Sequence, residues 1–198
     1  MTRRAQAVSV ATAIAAVLVI AAVVAMSRGL GIGAVGELTR DPLRGRPWWA
    51  GSLGIITWLL WSAAATLCLS AGMASPNTWR RPFIWLGVLC AALGLDDSLR
   101  LHESLPGFGI PQLPLFALYG VTALALAFKF LSALSTAVGR AFFTGAAMLA
   151  LSLLWDEIHP LTLYVVEDGA KLFGVAFWIL CGAWGLQDAL AETRDTSS

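Results

Sequence analysis

The sequence predicts an all-α protein, a polytopic bundle of about six transmembrane helices. Three observations carry that reading. Of 198 residues, 58% are hydrophobic and only 13% are charged, whereas a soluble domain carries about 25% charged residues. Several apolar runs reach the roughly 20 residues needed to cross a hydrocarbon core about 30 Å thick. Tryptophan and arginine mark the ends of those runs, as at Trp48, Trp49, Trp79, Arg80 and Arg81, where an aromatic belt and interfacial charges belong. The net charge of +1 supplies no basic face, so nucleic acid is not an expected partner. The lipid bilayer is.

The elements follow in order within one transmembrane domain, residues 1–190. Arg3 and Arg4 precede an apolar run, 5–27. Signal-peptide cores span about 7–15 residues; this run is longer, which favours a retained first span over a cleaved signal. Residues 28–47 are rich in Gly, Arg and Pro and read as a long loop. The second span covers 48–73 and ends at the turn signal Ser75-Pro76-Asn77. The third covers 82–103 and opens at Pro82, a residue suited to a first helical turn. Pro106-Gly107-Phe108-Gly109-Ile110-Pro111 is a turn. The fourth span covers 113–134 and the fifth 141–158, stopped by Pro160, which cannot continue a helix without losing a hydrogen bond. The sixth covers 161–190, and 191–198 form a polar tail.

No internal repeat marks an inverted-repeat transporter. Basic residues orient the chain in the cell (inner) membrane. With the N-terminus cytoplasmic, seven face inward (Arg3, Arg4, Arg80, Arg81, Lys129, Arg140, Arg194) and four outward. Cys68, Cys90 and Cys181 lie inside apolar runs without a CxxC or CxxH spacing, and read as small packing residues.

Three stretches stand out from this background: Asp96 to Glu103, Trp155 to Pro160, and Glu167 to Lys171. They hold both histidines and seven of the twelve carboxylates. An ionisable residue in or at the edge of a span is costly and raises a functional-site hypothesis. Span counting puts all three at the extracytoplasmic end. At 1.5 Å per residue, Asp96 lies about 21 Å from Pro82 and Asp156 about 22 Å from Ala141. Helical phase puts Asp96 and Glu103, seven apart, on one face with Arg100 between them. Asp156 and His159, three apart, share a face, as in the Glu-x-x-His element of di-metal bundles. Lys171 is placed to pair with Glu167 at i−4 and Asp168 at i−3.

Seven carboxylates against Arg100 and Lys171 leave a formal excess of about five negative charges, strongly repulsive at a low-dielectric boundary. Either some stay protonated or a cation neutralises them. Mixed His and carboxylate donors suit zinc, iron or manganese. The expected ligands are Asp96, His102, Glu103, Asp156, His159 and Glu167, with Asp97, Arg100, Asp168 and Lys171 as surrounding charge partners. Such a site would make a membrane metalloenzyme acting on a lipid or other amphipathic substrate, with Glu157 as general base. The alternatives are a small ion- or proton-coupled transporter, in which six short helices could form a pore as an oligomer, and a non-catalytic subunit or sensor stabilised by a cation.

The spacing Leu95-Asp96-Asp97, four residues, His102-Glu103, followed later by Glu167-Asp168 and Leu172-x-Gly174, resembles a group of small bacterial multi-pass membrane proteins. These carry L-D-[DE]-x4-H-E and E-[DE]-x3-[LM]-x-G and have no assigned reaction. The resemblance implies that the two motifs form one site. The run Glu167-Asp168-Gly169-Ala170-Lys171, followed by Phe173-Gly174, is also similar to the D-x-x-x-K segment of a microbial rhodopsin's last helix. Those proteins have seven helices and place the lysine in mid-membrane, so retinal is not expected here. Alkaline-ceramidase-type hydrolases also set His and Asp at helix ends, but use three histidines for zinc where this chain has two.

Overall fold

The computed structural model describes residues 52–75, 77–99, 101–158 and 164–195. Among them, 94% are helical and none is in a strand. Five helices are long and apolar enough to cross a membrane, which agrees with the all-α bundle expected. The expected span 5–27, the loop 28–47 and the Trp48–Trp49 pair lie outside the described residues.

Helix α1 spans Ser52–Ala74. Ser75 closes it by donating its N–H to the Ala71 carbonyl at 2.9 Å, just before Pro76, which disfavours the α conformation in the residue preceding it. Helix α2 spans Asn77–Leu99 and contains Pro82. It starts five residues earlier than the proline suggested, because one missing N–H near the helix start removes only a single intrahelical bond. A short turn of helix, α3 (Leu101–Ser104), leads into a 3-10 segment, Leu105–Phe108, ended by Gly109 at φ 76°. Only glycine adopts that left-handed conformation without strain.

Helix α4, Leu113–Phe130, begins with Pro114 in its first turn and runs into a 3-10 turn, Leu131–Ala133. Helix α5 spans Ala137–Ile158; Thr136 caps it by accepting the Gly139 N–H on Oγ1 at 3.2 Å. Helix α6, Tyr164–Asp195, has 32 residues and is therefore about 48 Å long, enough to cross the hydrocarbon and extend past it.

Helix α6 packs against α5 and α1, α1 packs against α2, and α4 leans on α2. A ladder of aromatic rings ties these helices together. Trp178 of α6 stacks on Phe142 of α5 at 6.0 Å, Phe142 stacks on Phe130 at 4.3 Å, and Phe130 meets Phe83 of α2 edge-on at 5.6 Å. Trp178 also donates its indole N–H to the Phe142 carbonyl at 3.1 Å, which removes the cost of burying that polar group. Where α5 crosses α6, Gly145 and Gly174 face one another. A Cβ built on either would lie 2.9 or 3.0 Å from the other's carbonyl oxygen. Lipid supplies little hydrophobic drive between helices, so close backbone approach of this kind carries much of the association.

The outer surface suits lipid. On α4, Leu118, Val121, Leu124 and Phe128 are exposed. Exposed hydroxyls inside the spans satisfy themselves: Ser62 donates to the Trp58 carbonyl at 2.9 Å, and Thr66 to that of Ser62 at 2.8 Å. Such back-bonding supplies a partner where water is absent.

Candidate functional site

The first acidic stretch folds back on itself. Helix α2 is described to Leu99 and α3 from Leu101, and across that junction Asp96 meets His102, six residues on. Asp96, only 5% exposed, accepts the His102 backbone N–H on Oδ1 at 2.9 Å and meets His102 Nδ1 with Oδ2 at 3.0 Å. One carboxylate thus holds both the backbone N–H and the imidazole of His102. With the proton on Nδ1, the ring donates to the carboxylate, and the tautomer is fixed by that bond. The other side of the imidazole meets Phe116 of α4, with ring centroids 5.6 Å apart and planes inclined by 45°.

Asp97, the next residue, points into a second group. Its Oδ1 lies 3.0 Å from the Lys171 ammonium on α6. Lys171 also stands 3.6 Å from Glu167 and 3.9 Å from Asp168, the two partners its helical spacing predicts. The cross-helix contact with Asp97 is the tightest of the three. It joins the first and third stretches at one end of the bundle, as expected from span counting. All four side chains are between 19% and 25% exposed, a polar cluster set into an apolar wall.

The expected ligands are therefore divided. Asp96 and His102 bond each other, while Glu167 belongs to the Lys171 cluster. Asp156 and Glu157 occupy the last turn of α5, the helix packed against α6. The side chains of Glu103, Asp156 and Glu157, and residues Arg100 and His159, lie outside the described residues. Among the described residues, no group of three or more His, Cys, Asp or Glu converges as metal ligands.

Two aromatic residues at this site carry no signal in the sequence. Phe116 touches His102, and Tyr119, on the same face of α4, lies within electrostatic reach of Asp96. Both sit in an apolar run and look like packing; only the path of α4 past the end of α2 brings them to the pair. The cysteines also gather without a motif. Cys68, Cys90 and Cys181 are fully buried, one from each of α1, α2 and α6. The Cys68 thiol lies 3.7 Å from the Trp178 carbonyl and is a side-chain neighbour of Cys90. They fill the helix crossing, in keeping with their reading as packing residues. At the opposite end of the bundle, a crevice of about 120 Å³ between Trp79, Phe83, Asp188 and Glu192 contains none of the expected site residues.

Apolar spans, lipid-suited outer faces and a half-buried polar cluster at one end define a multi-pass α-helical membrane protein. The chain belongs to the family described as a domain of unknown function (DUF8692), whose family model matches residues 11–184. No curated protein and no solved structure matches it.

Proposed function

We propose that the polar end of the bundle is a cation site in which His102 is a ligand and Asp96 orients it, and that the protein is a membrane metalloenzyme acting on a lipid or other amphipathic substrate. One observation carries the reading: the buried Asp96 carboxylate holds Nδ1 of His102. A metal-ligating histidine characteristically gives its other ring nitrogen to a carboxylate, which fixes the ring and raises its basicity. Asp96, expected as a ligand, becomes the orienting group. Glu103, Asp156, His159 and Glu167 complete the donor set, and zinc, iron or manganese suit its mixed imidazole and carboxylate chemistry. The resemblance to the bacterial group with paired L-D-[DE]-x4-H-E and E-[DE]-x3-[LM]-x-G motifs supports one site spanning both stretches. In that scheme the site faces the extracytoplasmic side of the cell membrane, and Glu157 serves as general base.

Elemental analysis of the gently purified protein tests this directly. Stoichiometric transition metal is expected. His102→Ala should abolish it, and Asp96→Asn should weaken affinity by about 10–100-fold, the usual cost of losing such an outer carboxylate. Metal near zero in the wild type sinks the proposal.

A second reading rests on Lys171, whose ammonium already balances part of the charge of Asp97, Glu167 and Asp168. With less need for a metal, the carboxylates would serve as a proton relay in a small transporter. Proteoliposome flux unaltered by Asp97→Asn and Glu167→Gln would exclude that relay.

A further inference from the structure

The link between α2 and α4 is built unlike a loop in water. Phe108 is 81% exposed and Leu113 is 76% exposed, and Leu99, Leu101 and Ile110 are exposed with them. They continue the apolar surface of the two spans that the link joins, with Leu99 at the end of α2 and Leu113 at the start of α4. Its one described imidazole is turned inward, to Asp96.

The backbone points the same way. Gly109 donates its N–H to the Pro106 carbonyl at 3.0 Å, and Ile110 donates to that of Leu105 at 3.1 Å. Pro106 and Pro111 have no N–H to satisfy. Backbone donors paired within the turn, or missing altogether, suit a place where water is scarce. The left-handed Gly109 is what lets the chain turn tightly enough to close those bonds.

We propose that the link Leu101–Gln112 is a membrane-interface element, seated at the headgroup–acyl boundary of the leaflet at the polar end of the bundle. Its partner is lipid. Tyr and Trp commonly anchor such boundaries; here Phe108 and Ile110 do so from a turn closed by its own hydrogen bonds, with Leu113 beside them at the start of α4. The functional consequence rests on the His102 site proposed above: a link seated in the interface puts membrane lipid beside the Asp96–His102 pair, in keeping with a lipid substrate. Lipid contact itself does not depend on that site, and its test reads contact alone.

Spin labelling of the full chain in lipid bilayers provides the test. Cys68, Cys90 and Cys181 are fully buried and take no label in the folded protein, so a cysteine introduced at Phe108 is labelled selectively. Leu124→Cys, on the lipid face of α4, and Glu192→Cys, near the far end of α6, serve as references. At Phe108→Cys, collision with dissolved oxygen should exceed collision with a water-soluble nickel chelate several-fold over the ratio at 192, approaching that at 124. Ile110→Cys should behave alike, which guards against a defect peculiar to one variant. A ratio at both positions equal to that at 192 would place the link in water and overturn the proposal. Shielding from both agents would overturn it equally, since protein and not lipid would then cover the surface. Metal content plays no part in either outcome.

Discussion

Replacing Lys171 by Met keeps most of the side-chain volume and removes an ammonium that lies within 4 Å of three carboxylates. The nearest, Asp97, is at 3.0 Å, and all four side chains are about one-fifth to one-quarter exposed. A fully buried pair loses about 3–5 kcal/mol when one partner is removed, whereas an exposed pair is worth about 0–1 kcal/mol. Partial exposure puts Lys171→Met between these limits, at about 1–2 kcal/mol. For a chain of this size, 1 kcal/mol moves Tm by about 2–4 °C, so a drop of about 2–8 °C is expected in a thermal-unfolding assay of the detergent-purified protein. Double-mutant cycles locate the loss. Coupling of Lys171 with Asp97 should reach at least about 0.5 kcal/mol, as for residues in contact. Coupling with Glu167 and Asp168 should stay near the few tenths of a kcal/mol typical of pairs along one helix. If Lys171→Met melts with the wild type, or if coupling to Asp168 exceeds that to Asp97, the cross-helix ion pair does not hold α2 to α6.

Two further expectations concern packing, each read by the same melting assay. Gly174→Leu forces a side chain into Leu149 and the Gly145 carbonyl and should lower stability by at least the roughly 1–3 kcal/mol of an overpacked core; Gly169→Ala, with nothing within 4 Å of its Cβ position, should instead gain up to about 1 kcal/mol from helix propensity. Equal effects at both glycines would mean that the α5–α6 crossing is looser than described. Trp178→Phe deletes the second donor to the Phe142 carbonyl, which keeps its bond within helix α5, and should cost about 0.5–1.5 kcal/mol, the worth of one net hydrogen bond; an unchanged melting temperature would contradict that bond's role.

How much of this could be read in advance depended on the range of the interaction. Apolar run length is local, and it predicts an all-α bundle of apolar spans, five of which the described residues contain, because a bilayer imposes a similar length on every helix that crosses it. The i+3 and i+4 contacts of Lys171 are local too, and both occur. Asp97 is 74 residues away from Lys171, and nothing in either neighbourhood selects Lys171 over Arg100 as the cation that Asp97 pairs with. Phe116 and the three cysteines show the same limit. Their apolar or weakly polar side chains look like packing from any window along the chain, and only the order in which α1, α2, α4 and α6 touch brings them together.

The Asp96–His102 pair lies beyond the reach of helical phase, since six residues is none of the i+3, i+4 or i+7 spacings that put side chains on one face. The His102 N–H needs an acceptor. A carboxylate a few residues upstream, at the low-water edge of a membrane, is the strongest acceptor in reach. Once Asp96 takes the His102 N–H, its second oxygen stands beside the imidazole of the same residue. Holding the backbone and orienting the ring are therefore one event. An Asp96→Asn variant keeps an oxygen for the backbone bond, yet it replaces the charged acceptor at Nδ1 with a neutral amide. It should preserve the fold of α3 far better than Asp96→Ala while loosening the hold on the ring. That difference separates a carboxylate kept for structure from one kept for the histidine: if Asn and Ala variants lose metal to the same extent as they lose stability, Asp96 serves only the backbone.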